Sequence, residues 1–159
     1  WMSFVPLYDL DVHRVSVVEA NFALTAMLVS GAIGSLLGGF LADRFGLKKV
    51  LVGSLFMTTP LLIIFLSSEG ILSVILLALT GTTTIGSASI AVLMGQSYLK
   101  SHIGVASGIT IGSAIGLGGL AIPVFGALAD YHGLMTTMYS MTILPVAACV
   151  MALTLPELR

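Results

Sequence analysis

Gly39-Phe40-Leu41-Ala42-Asp43-Arg44-Phe45-Gly46-Leu47-Lys48-Lys49 is the stretch on which the fold turns. It joins two long apolar runs, 22–42 and 50–68, neither of which contains Asp, Glu, Lys, Arg or His. Each run is long enough for a helix to cross the hydrocarbon of a bilayer, which takes about 20 residues at about 1.5 Å per residue. The charged stretch between them reads as the turn at the membrane surface.

Outward from this turn the whole chain keeps the same character. Of 159 residues 57% are apolar and 8% are charged, with a mean hydropathy of +1.12. Ordinary soluble domains are about 25% charged. Six basic and seven acidic side chains cannot wet the surface of a 16.5 kDa globule. The net charge of −1 offers no basic field for nucleic acid, so no nucleic-acid partner is expected. Cys149 stands alone, which excludes a disulfide framework or a thiolate metal cluster. The class that remains is a polytopic all-α membrane bundle whose first partner is the lipid bilayer.

Five full spans are expected, at 22–42, 50–68, 70–97, 104–129 and 133–155. Residues 1–8, Trp1-Met2-Ser3-Phe4-Val5-Pro6-Leu7-Tyr8, are too few to cross and read as the end of a sixth helix whose start lies upstream. The chain therefore reads as a piece of something longer. Residues 9–21 form an outer loop, and 43–49 and 98–103 form loops on the opposite face. Arg44, Lys48, Lys49, Lys100 and Arg159 fall on that opposite face, whereas Arg14 is alone on the other. Basic residues near span ends mark the cytoplasmic side. The C-terminus is thus expected in the cytoplasm, with the protein multi-pass in the plasma (inner) membrane. Tyr8, Tyr98 and Tyr131 fall at span ends, where interfacial aromatics belong.

The turn has a second copy. Gly126-Ala127-Leu128-Ala129-Asp130-Tyr131-His132-Gly133-Leu134 matches Gly39–Leu47 at six of nine positions, at an offset of 87. Three crossings separate the copies, so they lie on opposite faces, in units of opposite topology. Inverted repeats of this sort characterise secondary transporters. The second copy lacks the basic residues of the first, as an outward-facing turn should.

The first copy resembles the loop motif of the major facilitator superfamily, Gly-x-Leu-Ala-Asp-Arg-x-Gly-Arg-Lys. Leu47 departs from it, standing where the family has Arg, while Lys48 and Lys49 keep the basic character. The resemblance implies one inverted-repeat half of a twelve-helix transporter. The motif lies between the second and third helices of each half. The five spans would then be helices 8 to 12 and residues 1–8 the end of helix 7. A register on helices 2 to 6 stays open. Gln96-Ser97-Tyr98-Leu99, Gly104-Val105-Ala106-Ser107-Gly108, Gly116-Leu117-Gly118-Gly119 and the second motif copy are similar to helices 10 and 11 of fosmidomycin-resistance-type exporters, as is Pro6-Leu7-Tyr8. The resemblance implies an efflux antiporter conferring drug resistance, with a small polar or anionic substrate, proton coupling, no cofactor and no enzymatic step. The partner that completes the site would be the N-terminal half of the same chain. Import of a sugar or organic acid, or a non-transporting membrane subunit, are the competing readings.

The resemblance assigns the gating motif to Gly39, Asp43, Arg44, Gly46, Lys48 and Lys49, with Gly126, Asp130 and Gly133 as its inverted counterpart. Asp43 would act as a gate latch, its carboxylate meeting the positive N-terminus of a helix in the other half. The bland alternative is that the basic residues only anchor the topology. Two stripes of small residues recur every four positions: Ser30, Gly34 and Gly38 in the first span, and Gly104, Gly108, Gly112 and Gly116 in the fourth. Small stripes let membrane helices approach closely. They serve either a sliding interface between halves or static packing within one. Thr80, Thr82, Thr83, Thr84, Ser87 and Ser89 make the third span the most polar. Pro60 and Pro123 are expected to kink their helices. Asn21 and Gln96 could touch substrate or sit at the interface, and Glu19 caps the first span or carries a proton near the outer mouth. No ionisable residue occupies the centre of any span, and His13, His102 and His132 lie on different faces. A metal enzyme or an intramembrane protease would need such groups together.

Overall fold

The computed structural model describes residues 2–12 and 15–156. Trp1, His13, Arg14 and residues 157–159 lie outside the described residues. The chain is a bundle of helices, with no strand among the described residues: α1 (Val5–Asp11), α2 (Val17–Phe45), α3 (Leu47–Leu66), α4 (Gly70–Tyr98), a 3₁₀ turn at Lys100–His102, α5 (Ile103–His132), α6 (Leu134–Met141) and α7 (Ile143–Thr154). Five segments are long and apolar enough to cross a membrane: α2, α3, α4, the 3₁₀ turn with α5, and α6 with α7.

Helix ends differ from the charge-free stretches for local reasons. α2 starts before Phe22 because Ser16 caps it. The Ser16 hydroxyl accepts from the Glu19 N–H at 3.3 Å, and the Glu19 carboxylate accepts from the Ser16 N–H at 2.9 Å. This reciprocal box satisfies two otherwise orphaned donors. At the other end Asp43, Arg44 and Phe45 remain helical, and Lys48 and Lys49 already belong to α3. The expected loop over 43–49 is therefore Gly46 alone. Charge ends the apolar run but not the helix. The expected outer loop at 9–21 likewise begins with the last turn of α1 and ends inside α2.

The expected single helix over 133–155 is divided at Thr142. Pro145 is the cause: it has no N–H to donate to the Met141 carbonyl four residues back. Thr142 adapts, its N–H bonding to Tyr139 O at 3.1 Å and its hydroxyl to the same oxygen at 2.7 Å. Pro60 and Pro123, the positions expected to kink their helices, lie inside α3 and α5, which run on through them.

α2 and α4 form the most intimate pair. Met27 approaches Gly81, Ser30 approaches Ala78 and Thr82, Gly34 approaches Gly86, and Gly38 approaches Ile90. Both series rise together, so the two helices run parallel, with α3 antiparallel between them in sequence. Two apolar clusters fill the bundle at its opposite ends. One gathers Tyr8, Met27, Phe65, Leu77, Leu134 and Met138; the other gathers Leu51, Ile90, Met94 and Ala152. Tyr8 is fully buried in the first cluster, its hydroxyl donating to Leu66 O at 2.9 Å, rather than lying free at an interface. Asp9 is buried beside it.

Candidate functional site

The two motif copies fold into the same turn. Gly46 has φ +93° and ψ 143°, and Gly133 has φ +84° and ψ 155°. These values border the region open essentially to glycine alone. Each glycine ends one helix and starts the next. Gly46 N–H donates to Ala42 O at 2.8 Å, and Gly133 N–H donates to Ala129 O at 2.9 Å. Each carbonyl then accepts from the residue four further on, Val50 or Thr137, at 3.3 Å. The equivalence thus extends from residue identity to dihedral angles and hydrogen bonds.

The copies sit at opposite ends of the bundle. Beside the first, Lys48 Nζ donates to Leu155 O, and Tyr98 Oη donates to Pro156 O at 2.8 Å. These bonds collect the ends of α3, α4 and α7 with Arg44, Lys48, Lys49 and Lys100. Beside the second, Leu134 packs with Phe65, Leu66 and Tyr8. Asp43 and Arg44 are exposed, and the Arg44 guanidinium lies 5.6 Å from the Phe45 ring centroid. Asp130 is exposed as well. Among the described residues, no hydrogen bond or ion pair reaches either carboxylate. Gly39 is open, and Gly126 is equally unencumbered.

The two small-residue stripes part company. Ser30, Gly34 and Gly38 face α4. A Cβ on Gly34 would collide with the Thr82 backbone carbonyl, and one on Gly38 would stand 3.3 Å from Ile90. Gly31, Gly81 and Gly86 complete this contact and were not legible as a period of four in one helix. A Cβ on Gly81 would strike Met27 O, and one on Gly86 would come within 2.9 Å of Gly34 O. Such spacing is what small residues allow between membrane helices. By contrast, Gly104, Gly108, Gly112 and Gly116 meet nothing within 4 Å. Among the described residues, no side chain or neighbouring backbone closes on this stripe. α5 touches α4 near one end, where Gln96 Nε2 donates to Ser107 Oγ at 2.8 Å, and buries only Ala106 among its described residues.

The hydroxyls of α4 divide between two uses. Ser30 Oγ donates to Ala78 O at 2.6 Å, Thr82 Oγ1 to Ser30 O at 3.2 Å, and Ser35 shares a bond with Ser89 at 2.6 Å. These tie α2 to α4. On the other face Thr58 Oγ1 donates to Thr83 Oγ1 at 2.9 Å and joins α3. Thr80 and Thr84 are different: among the described residues, these two hydroxyls are buried with no hydrogen-bond partner. Thr84, Thr58 and Ser87 border a cavity of about 260 Å³ that Leu144 and Pro145 of α7 also line. Asn21 bonds back to Val17 O at 2.9 Å. No group of His, Cys, Asp and Glu able to hold a metal occurs among the described residues.

Five spanning helices, a parallel pair held by glycines and mirrored turns at opposite ends define a multi-pass membrane protein built on an inverted repeat. The model of the Major Facilitator Superfamily matches residues 1–159. The chain belongs to this superfamily. It is 38% identical to an uncharacterized MFS-type transporter, YfnC of Bacillus subtilis strain 168, over 98% of this chain and 38% of that protein. It is 32% identical to the fosmidomycin resistance protein of Escherichia coli strain K12, over 81% of this chain and 32% of that protein. A shorter match, 38% identical over 35% of this chain and 11% of the relative, is to the minor myo-inositol transporter IolF of Bacillus subtilis strain 168. The chain thus spans roughly a third of the length of the first two relatives. No solved structure matches.

Proposed function

We propose that this chain is helices 8 to 12, with the end of helix 7, of a secondary active transporter that exports a small polar or anionic compound such as fosmidomycin by alternating access. The observation that carries the export reading is the identity to the fosmidomycin resistance protein over most of this chain. The mirrored Gly46 and Gly133 turns support alternating access, because two units of opposite topology can exchange roles as one face opens and the other closes. On this reading Asp43 is the latch at the end rich in basic residues, which faces the cytoplasm of the plasma membrane by the positive-inside rule. Arg44, Lys48 and Lys49 hold that orientation. The open glycine stripe of α5 and the exposed carboxylates meet the N-terminal half of the same chain, which completes the substrate site. A coupled proton would then be carried by that half or near the outer mouth, since no ionisable group occupies mid-span here.

Expression of the full-length gene in an export-deficient host tests the substrate. Raised fosmidomycin tolerance is the expected result, and unchanged tolerance with the protein present in the membrane sinks it. Asp43→Asn should insert normally yet lose most of the transport; wild-type flux in that variant removes the latch. The match to the minor myo-inositol transporter favours one rival reading, import of a polyol. Uptake of labelled myo-inositol by the same cells would establish it.

A further inference from the structure

α3 and α7 lie side by side, and their shared surface carries a groove of about 570 Å³. Its lining changes character along its length. Lys48 and Lys49 stand at the mouth; Gly53 and Phe56 of α3 and Cys149 and Leu153 of α7 continue it as an apolar channel. Lys49, Gly53 and Phe56 share one helix face by their spacing of four and three. Among the described residues no acid lines the groove. Lys49 is exposed. Lys48 gives one N–H to Leu155 O and retains two further donors. The Cys149 thiol lies 3.7 Å from Val52 O, so the helices touch there and form the floor. Gly53 supplies no side chain, and a Cβ at that position would meet nothing within 4 Å.

The geometry points to a binding site for one anionic phospholipid, its phosphate against Lys48 and Lys49 and one acyl chain laid over Gly53 between Phe56 and Leu153. The step from Lys49 to Phe56 descends about 10 Å along the helix, from headgroup depth into hydrocarbon. Charge complementarity selects the headgroup: among the described lining residues two cations and no acid face a region where anionic lipids concentrate. The apolar channel below the lysines selects a lipid over free phosphate, which has nothing to fill it. The site depends on no particular substrate or direction of transport.

Native mass spectrometry on the detergent-purified full-length transporter tests the site, with phosphatidylglycerol, phosphatidylcholine and inorganic phosphate as probes. Phosphatidylglycerol should be retained about thirtyfold better than phosphatidylcholine, as expected for two lysines near a membrane surface, and phosphate should not displace it. Gly53→Leu starts its side chain in open space, extends it into the channel and should abolish that preference. The double change Lys48→Gln/Lys49→Gln should weaken phosphatidylglycerol about thirtyfold, while Lys48→Arg/Lys49→Arg retains it. Equal retention of the two lipids overturns the site, as does displacement by phosphate or undiminished preference in Gly53→Leu. Should the glutamine variant fail to insert, Gly53→Leu and the arginine variant decide the matter. Peptide-level alkylation of Cys149 gives an independent readout: phosphatidylglycerol should slow it, and an unchanged rate counts against occupancy of the channel.

Discussion

Glycines of one helix carry opposite structural duties at neighbouring positions. A methyl group on Gly34 collides with the Thr82 carbonyl, whereas one on Gly39 meets nothing. Gly34→Ala should therefore destabilise the bundle by about 1–3 kcal/mol through forced separation of α2 and α4. Gly39→Ala should be neutral or slightly stabilising, because alanine is the better helix former. Unfolding in graded detergent denaturant separates the two; equal midpoints would refute the close approach. At Gly46 and Gly133 the backbone rather than space is limiting. Alanine at either position should cost about 1–3 kcal/mol for its forbidden dihedrals. Among hydroxyls, Thr82→Val breaks a bond to Ser30 O and should cost about 0.6 kcal/mol, the usual size of such bonds between membrane helices. Thr80 is buried with no partner, so Thr80→Val should be neutral or stabilising. A larger loss from Thr80→Val than from Thr82→Val, in the same denaturation assay, would contradict this assignment.

Elements begin and end here by hydrogen-bond chemistry more than by polarity. The charge-free stretches mark five crossings, yet they miss the Ser16–Glu19 box that starts α2 earlier and the turn of helix carrying Asp43 and Arg44. Ser16→Ala should cost about 1 kcal/mol of helix stability, visible as faster amide exchange over the first turn of α2. Pro145 has the opposite effect on its helix, dividing α6 from α7 where Pro60 and Pro123 leave α3 and α5 unbroken. Proline chemistry is legible in sequence, but which proline yields a break depends on whether its neighbours let the helix close over it. Thr142, with its hydroxyl on Tyr139 O, stabilises the interrupted form. Pro145→Ala returns a donor to Met141 O and should slow amide exchange over 142–146. Exchange as fast as in the parent would mean that packing, not proline, holds the break.

For the whole molecule the governing pattern is two ends of unlike charge bearing the same turn. Single cysteines placed at Lys49 and at Tyr131, both exposed, should react with an impermeant maleimide from opposite sides of intact cells or vesicles. Labelling from one side alone would break the inverted relation. The candidate gate is half visible in the sequence. Gly39, Asp43 and Gly46 and their counterparts Gly126, Asp130 and Gly133 announce themselves by identity and spacing. The α2–α4 contact does not, because Gly31, Gly81 and Gly86 acquire meaning only when a second helix is laid against them. The four glycines of α5 show the reverse: a conspicuous period that this bundle leaves uncovered.

The sequence by itself determined the membrane class, the number of crossings, the charge asymmetry of the two ends and the repeat. Each of these is a one-dimensional consequence of where 13 charges and a handful of glycines fall along the chain. Only the tertiary structure decided which small residues touch, which hydroxyls are satisfied, which proline divides its helix, and that two lysines open onto an apolar groove. Those outcomes depend on the distance between helices far apart in sequence. In a bilayer, lipid is as apolar as the side chains and supplies no hydrophobic drive to pair helices, so hydropathy says where a helix crosses and close packing alone says what it crosses beside.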